Sequence, residues 1–140
     1  MRRSRALAYL EMAEDYSAAV QGLACSEEEM RAPFNMLVAH GLELSFKAAL
    51  CHSGCDEERL MMLGHNLAHC HDLARSRGLK GLALAQIASL VEALDGPHRD
   101  QRFRYPGFRD GFLEAKGGVV AEILRLHLRD VRAYLDEGRP

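Results

Sequence analysis

The chain has 140 residues, of which 48% are hydrophobic and 27% are charged, and its formal net charge at pH 7 is -2. This length and composition predict one soluble globular domain over residues 1–140, large enough to bury a core without disulfides or metals. A charge this close to zero excludes a surface that is basic throughout, so any site for a polyanion has to be a local patch. No apolar run approaches the roughly 18 residues that a membrane-spanning helix needs.

The N-terminal stretch MRRSRALAYLEMAEDY begins with basic residues, as a signal peptide does. Its apolar part is interrupted by Glu11, Glu14 and Asp15, which is too early for a signal sequence. We therefore expect a cytoplasmic protein without a membrane association. In the cytoplasm the four cysteines are expected to be reduced, whereas a secreted protein with two disulfides is the alternative.

Apolar residues recur at helical spacing along most of the chain, and strand-like alternation is nearly absent. The first predicted helix has an inner stripe, formed by Leu7, Leu10, Ala13, Val20 and Leu23.

The second predicted helix is apolar nearly all round over residues 34–50, which is typical of a central, buried helix. Ser26 and Glu29 have the spacing of a capping box, and Pro33 fits a first turn, so this helix should begin between residues 27 and 34. It should run to about His52.

The rest of the chain predicts shorter helices. Gly54 should end the second helix, and CDEERLMML follows as a turn or a partial helix. A third helix is predicted over residues 66–75 with Gly78 as its stop, a fourth over 79–94 and a last one over 112–136. DGPHRDQRFRYPGFRDG is the one long predicted loop. The fold class is therefore all-α, a single antiparallel bundle of about five helices.

Cysteines and histidines in the middle of the chain raise the question of a zinc site. The pattern C-x3-C-x9-H-x3-H is formed by Cys51, Cys55, His65 and His69, and its two outer spacings are compatible with tetrahedral zinc binding. The nine-residue middle is short for a zinc finger, and Cys51 falls within an apolar helix where a small buried residue is expected anyway. A zinc-stapled bundle therefore ranks third among the alternatives, and the sequence predicts no metal site and no cofactor.

The segment HGLELSFK places three polar residues on the apolar second helix. His40, Glu43 and Lys47 are spaced by three and four, so they share one face, and Glu43 before Lys47 is the favourable order for an ion pair. Burying either charge alone is costly, so this face has to meet a partner, a cleft or water. An internal salt bridge that orders the bundle and a functional site are both open.

The long predicted loop interleaves arginines with aromatic residues. Guanidinium groups bind phosphates and aromatic faces can stack on bases, which favours an anionic ligand such as RNA. Alternatively, the aromatic residues close the end of the bundle and the arginines are only solvated. The residues concerned are Arg99, Arg102, Arg104, Arg109, Phe103, Tyr105 and Phe108.

No glycine-rich phosphate loop, GxSxG elbow or HExxH motif is present in the sequence. Three segments in order do resemble the HEPN-domain family. HGLELSFKAAL is similar to the family's hALELxLKaLL segment, LGHNL to its lGHdL helix start, and RFRYP to its lRYP loop before the last helix. The resemblance covers residues 33–107.

What the resemblance implies is a compact antiparallel helical bundle, commonly dimeric, that binds nucleotides or RNA. Many members of the family are metal-independent ribonucleases or components of toxin–antitoxin and defence systems. Their catalytic signature is an arginine, four to six residues, and a histidine, usually on one helix. The match here is Arg59 with His65, which spans a predicted break between helices, and the spacing of Arg125 and His127 is wrong for it.

The sequence-based hypothesis is therefore a cytoplasmic, HEPN-like protein, expected as a homodimer, that binds a nucleotide or RNA. Endoribonuclease activity is the catalytic form of this hypothesis. His65 and Arg59 are the candidate catalytic residues. The predicted ligand contacts are Arg102, Arg104, Tyr105, Glu43, Lys47 and His40. A cognate nucleotidyltransferase-type protein is a further expected partner, and the alternative is a non-catalytic helical module that binds another protein.

Overall fold

The computed structural model describes residues 2–26, 29–106 and 113–137. Within these ranges it is all helical, which confirms the predicted all-α class. It contains six α-helices instead of about five, because CDEERLMML forms a complete short helix. The helices are α1 (Arg2–Leu23), α2 (Arg31–Ser53), α3 (Glu57–Leu63), α4 (Leu67–Ser76), α5 (Leu84–Arg99) and α6 (Gly117–Asp136), with 3₁₀ turns at Ala24–Ser26 and Arg102–Arg104.

Helix α2 is the centre of the fold, as its composition predicts. Residues 41–52 are buried without interruption, and α2 contacts α1, α4, α5 and α6. Phe46 on α2 is fully buried and packs against the rings of His71 and His127. The predicted inner stripe of α1 points into this core, as does one face of α6, with Leu10, Ala13, Val20, Leu124, Val131 and Leu135 at most 1% exposed.

The two ends of α2 were predicted with different success. Pro33 lies in the first turn, as expected, and Gly54 ends the helix with φ 113°, a left-handed conformation that favours glycine. The predicted capping box is wrong. Met30 is the N-cap without a side-chain hydrogen bond, and Ser26 contributes its backbone carbonyl, which accepts from the N–H groups of Glu29 and Met30 at 3.0 Å each.

Helix α3 forms because its short sequence carries both a cap and an inner face. The Asp56 carboxylate accepts a 2.9 Å hydrogen bond from the backbone N–H of Arg59, and acidic residues follow in the first turn, where the helix dipole favours them. Leu60 and Leu63 are buried against the core. The helix then ends at Gly64.

The predicted bounds of α5 and α6 need correction. Helix α5 begins five residues later than predicted, at Leu84, and continues through Pro97 to Arg99, so part of the predicted loop is helical. Proline removes one backbone hydrogen bond, but Pro97 and His98 are both buried, and this packing holds the last turn. Helix α6 begins at Gly117. The predicted start at residue 112 lies outside the described residues, as do Phe108 and Arg109.

In the part of the chain that the structure describes, no helix is long and apolar enough to cross a membrane. All four cysteines lie within the described residues, and none of them forms a disulfide.

Candidate functional site: histidines around a buried glutamate

The carboxylate of Glu43 is the centre of a polar cluster inside the bundle. Glu43 lies in the middle of α2 and is only 3% exposed. Its Oε2 accepts a hydrogen bond from Lys47 Nζ at 2.9 Å, while Oε1 accepts from His65 Nδ1 at 2.9 Å and from His98 Nε2 at 2.7 Å. Three donors from three parts of the chain therefore meet on one buried carboxylate.

Lys47 ties this carboxylate to the turn that carries His65. Its ammonium group also donates a 2.9 Å hydrogen bond to the backbone carbonyl of Gly64. Gly64 has φ 54° and ψ -130°, a conformation that side-chain-bearing residues rarely adopt. The turn between α3 and α4 therefore requires glycine, and with this geometry it directs its carbonyl to Lys47 while placing His65 beside Glu43.

His98 is the member of the cluster that the sequence analysis missed. The sequence analysis places it in the long predicted loop DGPHRDQRFRYPGFRDG, whereas the last turn of α5 carries it to Glu43. The spacing of residues in the sequence does indicate the position of His98. His98 continues the spacing of Ile87, Val91 and Leu94 along the inner face of α5.

The hydrogen bonds decide the charge of Glu43. Burial alone raises the pKa of the carboxyl, but the hydrogen bonds from His98, His65 and Lys47 together outweigh burial and hold this pKa at about 2. Glu43 is therefore ionised at neutral pH, and its charge is balanced by Lys47. For His40, one turn before Glu43, burial is the main cause of a lowered pKa, and Glu43 opposes this effect only in part.

A partly enclosed cavity of about 70 Å³ lies against this cluster. Among the described residues, its wall combines imidazoles, one guanidinium group and aromatic rings, and none of these lining residues is acidic. The edge of the Tyr16 ring contacts His40, with 4.8 Å between ring centroids. The cavity is lined by Tyr16, Met36, His40, His65, His98, Gln101, Phe103 and Arg104.

Two of the predicted arginine-loop contacts have different surroundings. Arg104 lines the cavity, and among the described residues no carboxylate pairs with it. Arg102 forms a 2.8 Å ion pair with Asp100 and does not line the cavity. Tyr105 is 66% exposed beside them, while Phe103 is buried and closes the bundle at this point.

The predicted pair Arg59 and His65 is not brought to one cavity. Arg59 lies on α3 and lines a separate surface depression together with Asp56 and Arg77, whereas His65 lines the cavity next to Glu43. Within one chain, the imidazole nearest to His65 in this cavity is that of His98, with 5.4 Å between ring centroids.

The zinc alternative at Cys51, Cys55, His65 and His69 is wrong. Among the described residues, only His40, Glu43 and His98 bring three candidate metal-ligand atoms together, all within 4.8 Å of one another. Two imidazoles and a carboxylate could hold a transition metal. Here, however, the oxygen of Glu43 that faces the histidines already accepts two N–H groups, and the other binds Lys47.

His127 is another buried histidine that the sequence analysis did not place, and it has a structural role in the core. The Ser45 hydroxyl donates to the carbonyl of Leu42 at 2.6 Å, so it accepts from His127 Nε2 at 2.8 Å. Burial, aided by His71, lowers the pKa of His127 to about 3, and this imidazole is therefore neutral at physiological pH. It fills the core beside Phe46.

Comparison with family models, curated proteins and solved structures gave no match for this chain.

Proposed function

We propose that this protein is HEPN-like, binds a nucleotide or RNA, and acts in the cytoplasm as a homodimer. Metal-independent cleavage of RNA is the catalytic form of this proposal. The observation that carries the proposal is the cavity itself: three imidazoles and the guanidinium group of Arg104 line it, and its lining within residues 2–26, 29–106 and 113–137 contains no acidic residue. The guanidinium group of Arg104 suits a phosphate oxygen. His65 and His98 each donate one N–H to Glu43, so each can face a ligand with its other ring nitrogen. The three segments that resemble the HEPN family also meet here, through Glu43, His65 and Arg104.

Each residue of the site has a proposed role. Arg104 binds a phosphate oxygen, and exposed Tyr105 offers a ring on which a base can stack. Glu43 and Lys47 form the ordered pair beneath the site and orient His65 through its Nδ1. Arg102, which pairs with Asp100 outside the cavity wall, is a proposed second phosphate contact, and His40 lines the wall.

RNA cleavage by this site would use the imidazoles as proton carriers. One group has to remove the proton from the attacking 2′-hydroxyl, and another has to protonate the leaving 5′-oxygen. His65 is the proposed proton shuttle, since an imidazole can both accept and donate a proton. Arg104 would stabilise the charge that develops on the phosphorane. Arg59 could contribute only from outside this cavity, for example from the second protomer of the proposed homodimer.

A protein-interaction module is the second candidate, and an exposed apolar patch favours it. Met61 and Met62 on α3 are 75% and 79% exposed. Flexible methionine side chains are common on surfaces that bind other proteins. A nucleotidyltransferase-type protein remains the proposed cognate partner for this surface.

RNA binding is expected to weaken as salt concentration rises, because each neutralised phosphate releases counterions. Fluorescence anisotropy with a labelled RNA measures this slope. Changing Arg102 and Arg104 together to alanine should abolish binding and leave the helical circular dichroism spectrum unchanged, because both guanidinium groups are exposed.

His65→Ala serves as the complementary variant. It should retain binding and remove any cleavage, if His65 is the proton shuttle, whereas the same change at exposed His69 should affect neither. A wild-type protein with no salt-dependent affinity for any RNA or nucleotide would contradict the proposal and favour the protein-interaction module.

A further inference from the structure

We propose that the cavity receives the terminal phosphoryl group of a phosphate monoester, as found on a mononucleotide or at the end of an RNA strand, in preference to an internal phosphodiester. This inference rests on the proposed binding of a nucleotide or RNA and specifies its ligand. It favours the non-catalytic form of that function, because cleavage of RNA requires an internal phosphodiester in the site. Three properties of the cavity support it, namely its volume, its floor and its charge.

The volume suits a phosphoryl group better than a whole nucleotide. Small-molecule pockets usually measure about 300–1,000 Å³, whereas this cavity measures about 70 Å³. A single tetrahedral group suits a cavity of this size, and the sugar and base of a nucleotide would extend beyond its opening.

The floor of the cavity is closed. Glu43 lies beneath it at 3% exposure, and His98 and Phe103 are each only 7% exposed. An internal phosphodiester continues into a chain on two sides, whereas a terminal phosphate continues on one. A cavity that ends on buried side chains therefore accommodates a chain end better than the middle of a strand.

The charges also favour a monoester. A phosphate monoester carries about -1.5 to -2 at pH 7, against one charge on a diester. Lys47 balances Glu43, and within the part of the chain that the structure describes no carboxylate balances the charge of Arg104 in the wall. The imidazoles of His40, His65 and His98 surround the same space, and His65 and His98 are held by Glu43. A second negative charge on the ligand strengthens its interaction with all of these groups.

The test compares RNA hexamers of one sequence that carry a 5′-phosphate, a 3′-phosphate or hydroxyl groups at both ends, with a nucleoside monophosphate and inorganic phosphate as separate arms. Isothermal titration with the full chain, in the presence of EDTA, measures the dissociation constants. At least one phosphorylated hexamer should bind about tenfold tighter than the hydroxyl-ended one, or about 1.4 kcal/mol. The two phosphorylated hexamers identify the preferred strand end, and tight binding of the nucleoside monophosphate identifies a free nucleotide as the ligand.

Matched variants locate the effect. Arg104→Gln should remove the preference for a terminal phosphate, while Arg125→Gln, at an exposed arginine on α6 that pairs with Glu122, should retain it. Equal affinities of the phosphorylated and hydroxyl-ended hexamers would overturn the inference and leave the proposed RNA binding intact. Absence of binding by every probe would overturn both. A preference that persists in Arg104→Gln, or that appears only when a divalent metal replaces EDTA, would also overturn it.

Discussion

Replacing Glu43 with alanine is expected to lower the free energy of unfolding by about 3–5 kcal/mol, because breaking a buried ion pair leaves its partner uncompensated. Lys47 would lose its carboxylate while its side chain is only 11% exposed, and His65 and His98 would lose their shared acceptor. In a domain of this size the loss corresponds to a fall in Tm on the order of 10 °C. Thermal and urea unfolding measure it.

Lys47→Ala is the matching half of a double-mutant cycle. It should cost less, roughly 1–3 kcal/mol, since Glu43 keeps the two histidine donors. The double variant should be more stable than the sum of the single losses predicts, because the pair interacts directly. Exposed Glu92 and Lys116 provide the controls, and each should change little as alanine. Losses at Glu43 and Lys47 no larger than those of the controls would mean that the cluster does not order the bundle.

Stability is expected to fall in acid because of the same carboxylate. Hydrogen bonds hold the folded-state pKa of Glu43 at about 2, below its ordinary value of 4.5. A lowered pKa means that the folded state binds fewer protons, so the contribution is complete above about pH 4.5 and is lost as the pH falls towards 2. The difference corresponds to on the order of 3 kcal/mol.

Glu43→Gln isolates this contribution, because glutamine keeps the shape of the side chain and does not titrate. Urea unfolding of both proteins between pH 3 and pH 7 should show a stability difference that is largest near neutral pH and shrinks in acid. A difference that stays constant over this range would assign the acid sensitivity to other carboxyl groups.

Much of the fold follows from local patterns in the sequence. Helix α2 is predicted as the central helix because an apolar surface all round can only be satisfied inside a bundle, and its burial over residues 41–52 agrees. Gly54 and Gly78 end α2 and α4 in left-handed conformations, as their positions predict. Glu43 and Lys47 are predicted as a pair from their spacing alone, and the 2.9 Å ion pair confirms it.

The remainder depends on contacts between distant segments. Asp56 makes α3 a true helix through a side-chain cap, and the burial of Pro97 and His98 extends α5 beyond the point where proline usually ends a helix. The convergence of His98 and His65 on one oxygen of Glu43 follows from how α4 and α5 pack against α2, which spacing along the chain does not reveal. For the same reason, only the structure distinguishes Arg104 from its paired neighbour Arg102.

Imidazole NMR during a titration with 5′- or 3′-phosphorylated RNA tests the central claim most directly, namely that the cavity beside Glu43 binds a phosphate. In long-range ¹H–¹⁵N spectra the side chains of His40, His65 and His98 should shift together as ligand is added, because all three line the cavity. Exposed His69 and buried His127 should not shift, since neither belongs to its wall. Saturable binding without any shift of the three cavity histidines, or with shifts confined to the others, would contradict the account.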